Sequence, residues 1–91
     1  MAIWIVSYDL RAPGRNYAAL YDELRSIPYA HVLESFWLIE TEGPATRIRD
    51  ALKTHIDAND GIAVIEFTQN ADWAFAGVNQ ASLDWVKERR P

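Results

Sequence analysis

The sequence predicts an α+β domain built on a four-stranded antiparallel sheet, with helices on one face and a further helix at the C-terminal end. Three observations carry that prediction. Strand-type apolar runs and helical stripes follow one another as strand, helix, strand, strand, helix, strand, and a helical tail closes the chain. A length of 91 residues suits one hydrophobic core and is too short for two. Hydrophobic residues make up 49% and charged residues 24%, which excludes a disordered or fibrous chain.

The first strand is Ile3-Trp4-Ile5-Val6-Ser7-Tyr8, β-branched and aromatic throughout. Apolar residues fall on both of its faces, so it should be a central strand covered on both sides. Asp9-Leu10 ends it, and Pro13-Gly14 punctuates the loop that follows. Asn16 is a good N-cap. Tyr17, Leu20, Tyr21, Leu24 and Ile27 then recur at helical spacing until Pro28 stops the helix. Residues 30–41 hold two strand signals around Glu34-Ser35, either two strands joined by a bulged turn or one long bent strand. Gly43-Pro44 breaks the run. A second helix should place Ala45, Ile48, Ala51, Leu52, His55 and Ile56 on one side.

Residues 57–61 form a turn cluster of Asp, Asn and Gly. This cluster lacks the acidic twelfth position and flanking helices of a calcium loop. Ile62 to Phe67 is the last clear strand. Residues 69–76 are irregular and carry Trp73 and Phe75. Residues 78–90 read as a third helix with Val78, Ala81, Trp85 and Val86 inward. The whole is a single domain over 1–91, with a core of about residues 3–67 and an extension of about 68–91. Its order is the split βαβ, ferredoxin-like βαββαβ pattern.

Four Trp, four Tyr and three Phe are many for this length. A sheet with helices on one face needs cover on the other. Both features point to a homodimer. The chain has no cysteine, which excludes disulfides and thiolate sites. No apolar run approaches the roughly 18 residues of a membrane span. The first residues lack the pattern of a signal peptide, and a cytoplasmic location is expected. The formal net charge is −4, unlike a general nucleic-acid binder. Seven of the nine cations are nevertheless Arg, the side chain suited to phosphate, and Arg11 and Arg15 flank Gly14.

His31 and His55 are the only imidazoles, and neither lies at metal-ligand spacing with the other. His31 begins a strand and should be a surface residue. His55 suits the last turn of a helix, where the dipole favours a cation. Tyr8 reads as core, Ser35 as part of a bulge or as a phosphate contact. Asp9 can serve as a hydrogen-bond acceptor for the loop after the strand or as a functional carboxylate at the sheet rim.

The strand ending in Tyr8-Asp9, the segment His31-Val32-Leu33-Glu34-Ser35-Phe36-Trp37, His55-Ile56-Asp57, and the closing Asn59-Asp60-Gly61-Ile62-Ala63-Val64-Ile65-Glu66-Phe67 together resemble the small CRISPR-associated Cas-two family. They look closer still to its SinR-like bacterial and phage relatives; the VapD toxins share the fold and the first-strand Asp. The resemblance covers about residues 3–67. It implies a ferredoxin-like homodimer in which Asp9 faces its mate across the two-fold axis. It also implies Asp9 as catalytic residue and ligand of Mg²⁺ or Mn²⁺, and Arg11, Arg15 and Ser35 as nucleic-acid contacts. Partners would be a second copy and DNA or RNA, in a setting such as phage defence. Two features depart from the family: the acidic body and the Trp-rich extension.

Two function classes follow. One is a nucleic-acid-binding homodimer with metal-dependent phosphodiesterase activity. The other is a non-catalytic regulatory or mobile-element accessory protein that acts through another protein. A nuclease needs a carboxylate at a metal, and a binding module does not.

Overall fold

A computed structural model describes residues 1–12, 14 and 16–90. Its elements are β1 (Ala2–Asp9), α1 (Ala18–Arg25), β2 (Tyr29–Leu33), β3 (Phe36–Thr41), α2 (Ala45–Lys53), β4 (Gly61–Phe67) and α3 (Gln80–Arg89). The strands form one antiparallel sheet in the order β2-β3-β1-β4. This is the α+β arrangement that the sequence predicts, with α3 as the C-terminal helix. β1 is central, and both of its neighbours pair along most of its length. β2 and β3 are two strands joined by a turn at Glu34-Ser35, with a register shift between His31 and Leu33.

Alternation along the strands creates two apolar layers. One face holds Trp4, Val6, Tyr8, Trp37 and Ile39 against Leu20 and Leu24 of α1 and Ile48 and Leu52 of α2. Its aromatic rings carry polar atoms inward, and each polar atom has a partner. Trp4 Nε1 donates to the Thr41 carbonyl at 3.0 Å. Trp37 Nε1 donates to Tyr8 Oη at 2.9 Å, and Tyr8 Oη donates onward to the Glu34 carbonyl at 2.7 Å. Such satisfaction keeps buried polar atoms from costing their desolvation energy.

The opposite face holds Ile3, Ala30, Val32, Leu38 and Phe67. Its cover comes from the chain's own extension. Val86 of α3 is fully buried there, and Trp73, Phe75, Val78 and Trp85 pack around it. The Asn79 side chain caps α3 by accepting from Ser82 N at 2.8 Å, while its Nδ2 donates to the His31 carbonyl at 3.1 Å. The far end of the helix ties back the irregular segment: Trp73 Nε1 donates to the Arg90 carbonyl, and Arg90 donates to the carbonyls of Phe67 and Thr68.

Several expectations need correction in detail. α3 buries Val86 as expected, but Ser82 takes the inward place assigned to Ala81, which is exposed. α1 stops at Arg25 with Ser26 as its cap, ahead of Pro28. The Asn16 side chain accepts from Ala18 N, although Tyr17 holds the N-cap position. α2 ends at Lys53, so His55 and Ile56 lie beyond it, and Ala51 is exposed. His31 is half-buried, because its ring stacks on Trp37 at 3.7 Å between centroids.

Candidate functional site

Asp9, Arg11 and Ser35 meet at one end of the sheet. The register sets Asp9 opposite Gly61 at the start of β4. On the other side of β1, the Tyr8 amide donates to the Ser35 carbonyl at 3.2 Å, which puts Ser35 at the same rim. Ser35 and Asp9 are both exposed. Arg15 lies outside the described residues.

Arg11 is held by residues far away in sequence. Its Nε donates to Asp9 Oδ2 at 2.9 Å and its Nη1 to the Asn59 carbonyl at 2.9 Å. Its backbone amide donates to Asp60 Oδ1 at 2.6 Å. A Cβ at position 61 would sit 3.3 Å from Arg11 Nη2, so glycine there lets the guanidinium lie close over the start of β4.

Asp60 organises the rim. Its Oδ2 accepts from Tyr17 Oη at 2.7 Å and from the Asp57 amide at 2.8 Å. Tyr17 Oη in turn accepts from the Ala12 amide at 3.3 Å. One carboxylate thus joins the loop after β1, the approach to α1 and the turn before β4. The sequence offers Asp9 as the loop's acceptor, and Asp9 does accept from Arg11 Nε; the loop's backbone amide is taken by Asp60, 49 residues from Arg11. Residues 57–61 stand out as a turn, but nothing in their spacing tells that Asp60 reaches across to Arg11.

Asp9 has a different situation. Its carboxylate pairs with Arg11 while both side chains remain more than half exposed. An exposed pair of this kind contributes about 0–1 kcal/mol. Among the described residues, no group of three or more Asp, Glu or His side chains is placed to hold a metal ion. The Asp60 carboxylate at the same rim already accepts from Arg11 N, Tyr17 Oη and the Asp57 amide, so a cation at Asp9 would need a further source of ligands.

His31 Nε2 lies 3.0 Å from the Glu34 carbonyl, and His55 Nε2 lies 3.6 Å from Glu23 Oε1. Tyr8 is core, as expected. Burial, partly countered by the hydrogen bond from Trp37, pushes its hydroxyl up to about 12.

No protein-family model matches the chain, and no solved structure matches it significantly. Among the described residues, no helix is long and apolar enough to cross a membrane.

Proposed function

We propose that this protein is a nucleic-acid-binding homodimer of the Cas-two type that contacts phosphate at the Asp9–Arg11 rim, with Asp9 as the site of metal-dependent phosphodiester cleavage. The observation that carries the reading is the fixed placement of Arg11. Its guanidinium is oriented by Asp9 and Asn59 and stays more than half exposed, beside Ser35 on the same rim. A cation ordered before binding loses less side-chain freedom when phosphate arrives.

Two further features support it. β4 is an edge strand, and its Ile65 is 58% exposed. A long apolar edge invites pairing with a second copy. The weak, exposed Asp9–Arg11 pair also leaves Asp9 open to exchange its partner. A Mg²⁺ or Mn²⁺ ion held between two copies of Asp9 would neutralise phosphate charge and activate water. The same ion pair favours a second reading, because Arg11 already balances Asp9 without any metal. In that reading the protein is a non-catalytic accessory that acts through another protein.

The test combines sedimentation with anisotropy titrations of labelled duplex and single-stranded DNA and RNA, with and without Mn²⁺. The proposal expects a dimer, with binding that weakens with salt no more steeply than about four contacts allow, each contributing a slope near −0.9 on duplex DNA. Arg11→Ala should weaken binding on every sequence. Asp9→Asn should keep the dimer and abolish metal-dependent cleavage. A dimer that binds nucleic acid but never cleaves it would move the assignment to the non-catalytic class. A clean monomer with no salt-dependent binding would sink the proposal.

A further inference from the structure

One cavity lies far from the Asp9 rim. It is a groove of about 490 Å³ between the C-terminal part of α1 and the helix α2, reaching down to β3. Leu24, Ile39, Ile48 and Leu52 form its floor, and all four are buried core residues. Protein interiors leave few voids larger than a water molecule. A groove of this size falls in the range of about 300–1,000 Å³ typical of small-molecule sites, apolar with a few placed polar groups.

The charged side chains on this groove are Glu23, Glu42 and Arg47. Glu23 already faces His55. The side chains of Glu42 and Arg47 have no hydrogen bond or ion pair with another described residue. They bring opposite signs to the edge of one apolar pocket. The segment bearing Glu42 is also clamped. Trp4 Nε1 holds the Thr41 carbonyl on one side, and Gly43 presses against the Trp4 ring on the other. A Cβ at position 43 would lie 2.6 Å from Trp4 Cζ2, so only glycine allows this approach. Arg47 stands on α2, whose Ile48 and Leu52 belong to the groove floor. Both charges therefore ride on fixed backbone.

We propose that this groove binds a free α-amino acid with an apolar or aromatic side chain. The apolar body displaces water from the accessible wall at Ile27, Ala51 and Met1, above the closed floor of Leu24, Ile39, Ile48 and Leu52. The carboxylate meets Arg47, whose guanidinium fits it in a forked pair, and the ammonium meets Glu42. A purely anionic amphiphile would face Glu42 with like charge, and a purely cationic one would face Arg47. The site is separate from the nucleic-acid reading and does not depend on it.

The experiment is a titration of the full chain, methyl-labelled at Ile and Leu, with L-phenylalanine and L-leucine. Phenylpropionate and phenethylamine, which each lack one charge of the head, serve as comparators. The amino acids should shift the methyl signals of Leu24, Ile39, Ile48 and Leu52 in a saturable way. Each comparator should bind about tenfold more weakly, and so should amino acid to Arg47→Ala or Glu42→Gln, as loss of one charged hydrogen-bonding pair implies. Both substituted residues are exposed, so the fold should persist. Ala51→Trp, at an exposed position on the groove wall, should block binding. Absence of methyl shifts up to about 10 mM ligand, a free energy weaker than about −3 kcal/mol, would overturn the proposal. So would comparators that bind as well as the amino acids, or shifts unaffected by Ala51→Trp.

Discussion

The two faces of the sheet are covered by different means. The face under α1 and α2 is closed by helices that each cross over one intervening strand, and its core includes the inward-facing aromatic residues Trp4, Tyr8 and Trp37. The other face is closed by one helix and an irregular segment that return after the sheet is complete. α3 docks on the β2 side through Asn79 and Ser82, both bonded to the His31 carbonyl. The β4 side remains partly open, with Ile65 58% exposed. Cover that comes from crossover helices is dictated by strand order; cover from a terminal extension depends on a few docking contacts. The first face should therefore be the harder to perturb by trimming the chain, and the second the better candidate for exchange of partners.

The largest effect should come from removing the second cover. Deleting residues 71–91 would expose Ile3, Val32, Leu38 and Phe67, at about 1.5–3 kcal/mol for each large side chain left in water. A domain has only about 5–15 kcal/mol in total, so the truncated chain should aggregate or lose its cooperative melt. Thermal denaturation followed by circular dichroism decides it. A melt like that of the full chain would mean that the extension is an appendage and that the two faces are not comparable.

Single core truncations sharpen the contrast. Leu20→Ala on the helix-covered face should cost about 2–5 kcal/mol in denaturant titrations. Val86→Ala on the other face removes two methyl groups from a fully buried site and should cost about 1–3 kcal/mol. The double mutant tests whether the faces are coupled through the shared strand β1, since independent sites add to within about 0.5 kcal/mol. A null effect of Val86→Ala would show that the second cover is held by its hydrogen bonds alone.

The smallest effect should separate the faces by pH. Burial raises the Tyr8 hydroxyl from 10.0 to about 12. The folded protein then keeps its proton where the unfolded chain loses it, so the stabilisation is complete below pH 10 and is lost as pH rises toward 12. Tyr8→Phe should flatten that alkaline decline. At neutral pH it should also cost about 1–3 kcal/mol, because Trp37 Nε1 loses its acceptor. An alkaline decline that persists unchanged in Tyr8→Phe would assign it to another group.

Much of the fold was legible before any coordinates. The order of the six core elements, the central place of β1 and the core role of Tyr8 follow from alternation and helical spacing. The inward face of α3 was legible in part. Val86 is buried and Val78 and Trp85 pack on the second core as their pattern predicts, but Ala81 is exposed and Ser82 is buried instead, because its hydroxyl bonds the His31 carbonyl of β2 and its amide bonds the Asn79 cap. A hydroxyl is hidden at little cost once bonded, and hydrophobic pattern reading has no term for that. At the rim, Asp9, Arg11 and Ser35 could be named from sequence, and they do share one end of the sheet. Asp60 and Tyr17, which hold Arg11's loop in place, could be read only as a turn residue and a helix-stripe residue.

The sequence by itself determined the strand and helix order, the two-sided burial of β1 and the sites where the chain must break. Those properties are local: they depend on side-chain periodicity, on β-branched runs, and on Pro and Gly. Only the tertiary structure decided that the extension covers the second face within one chain, that Asp60 joins Asp9 in holding the loop, and that Glu42 and Arg47 share an apolar groove. Each of these joins segments distant in the chain. Periodicity tells which face of an element is apolar, but not which other element that face will meet.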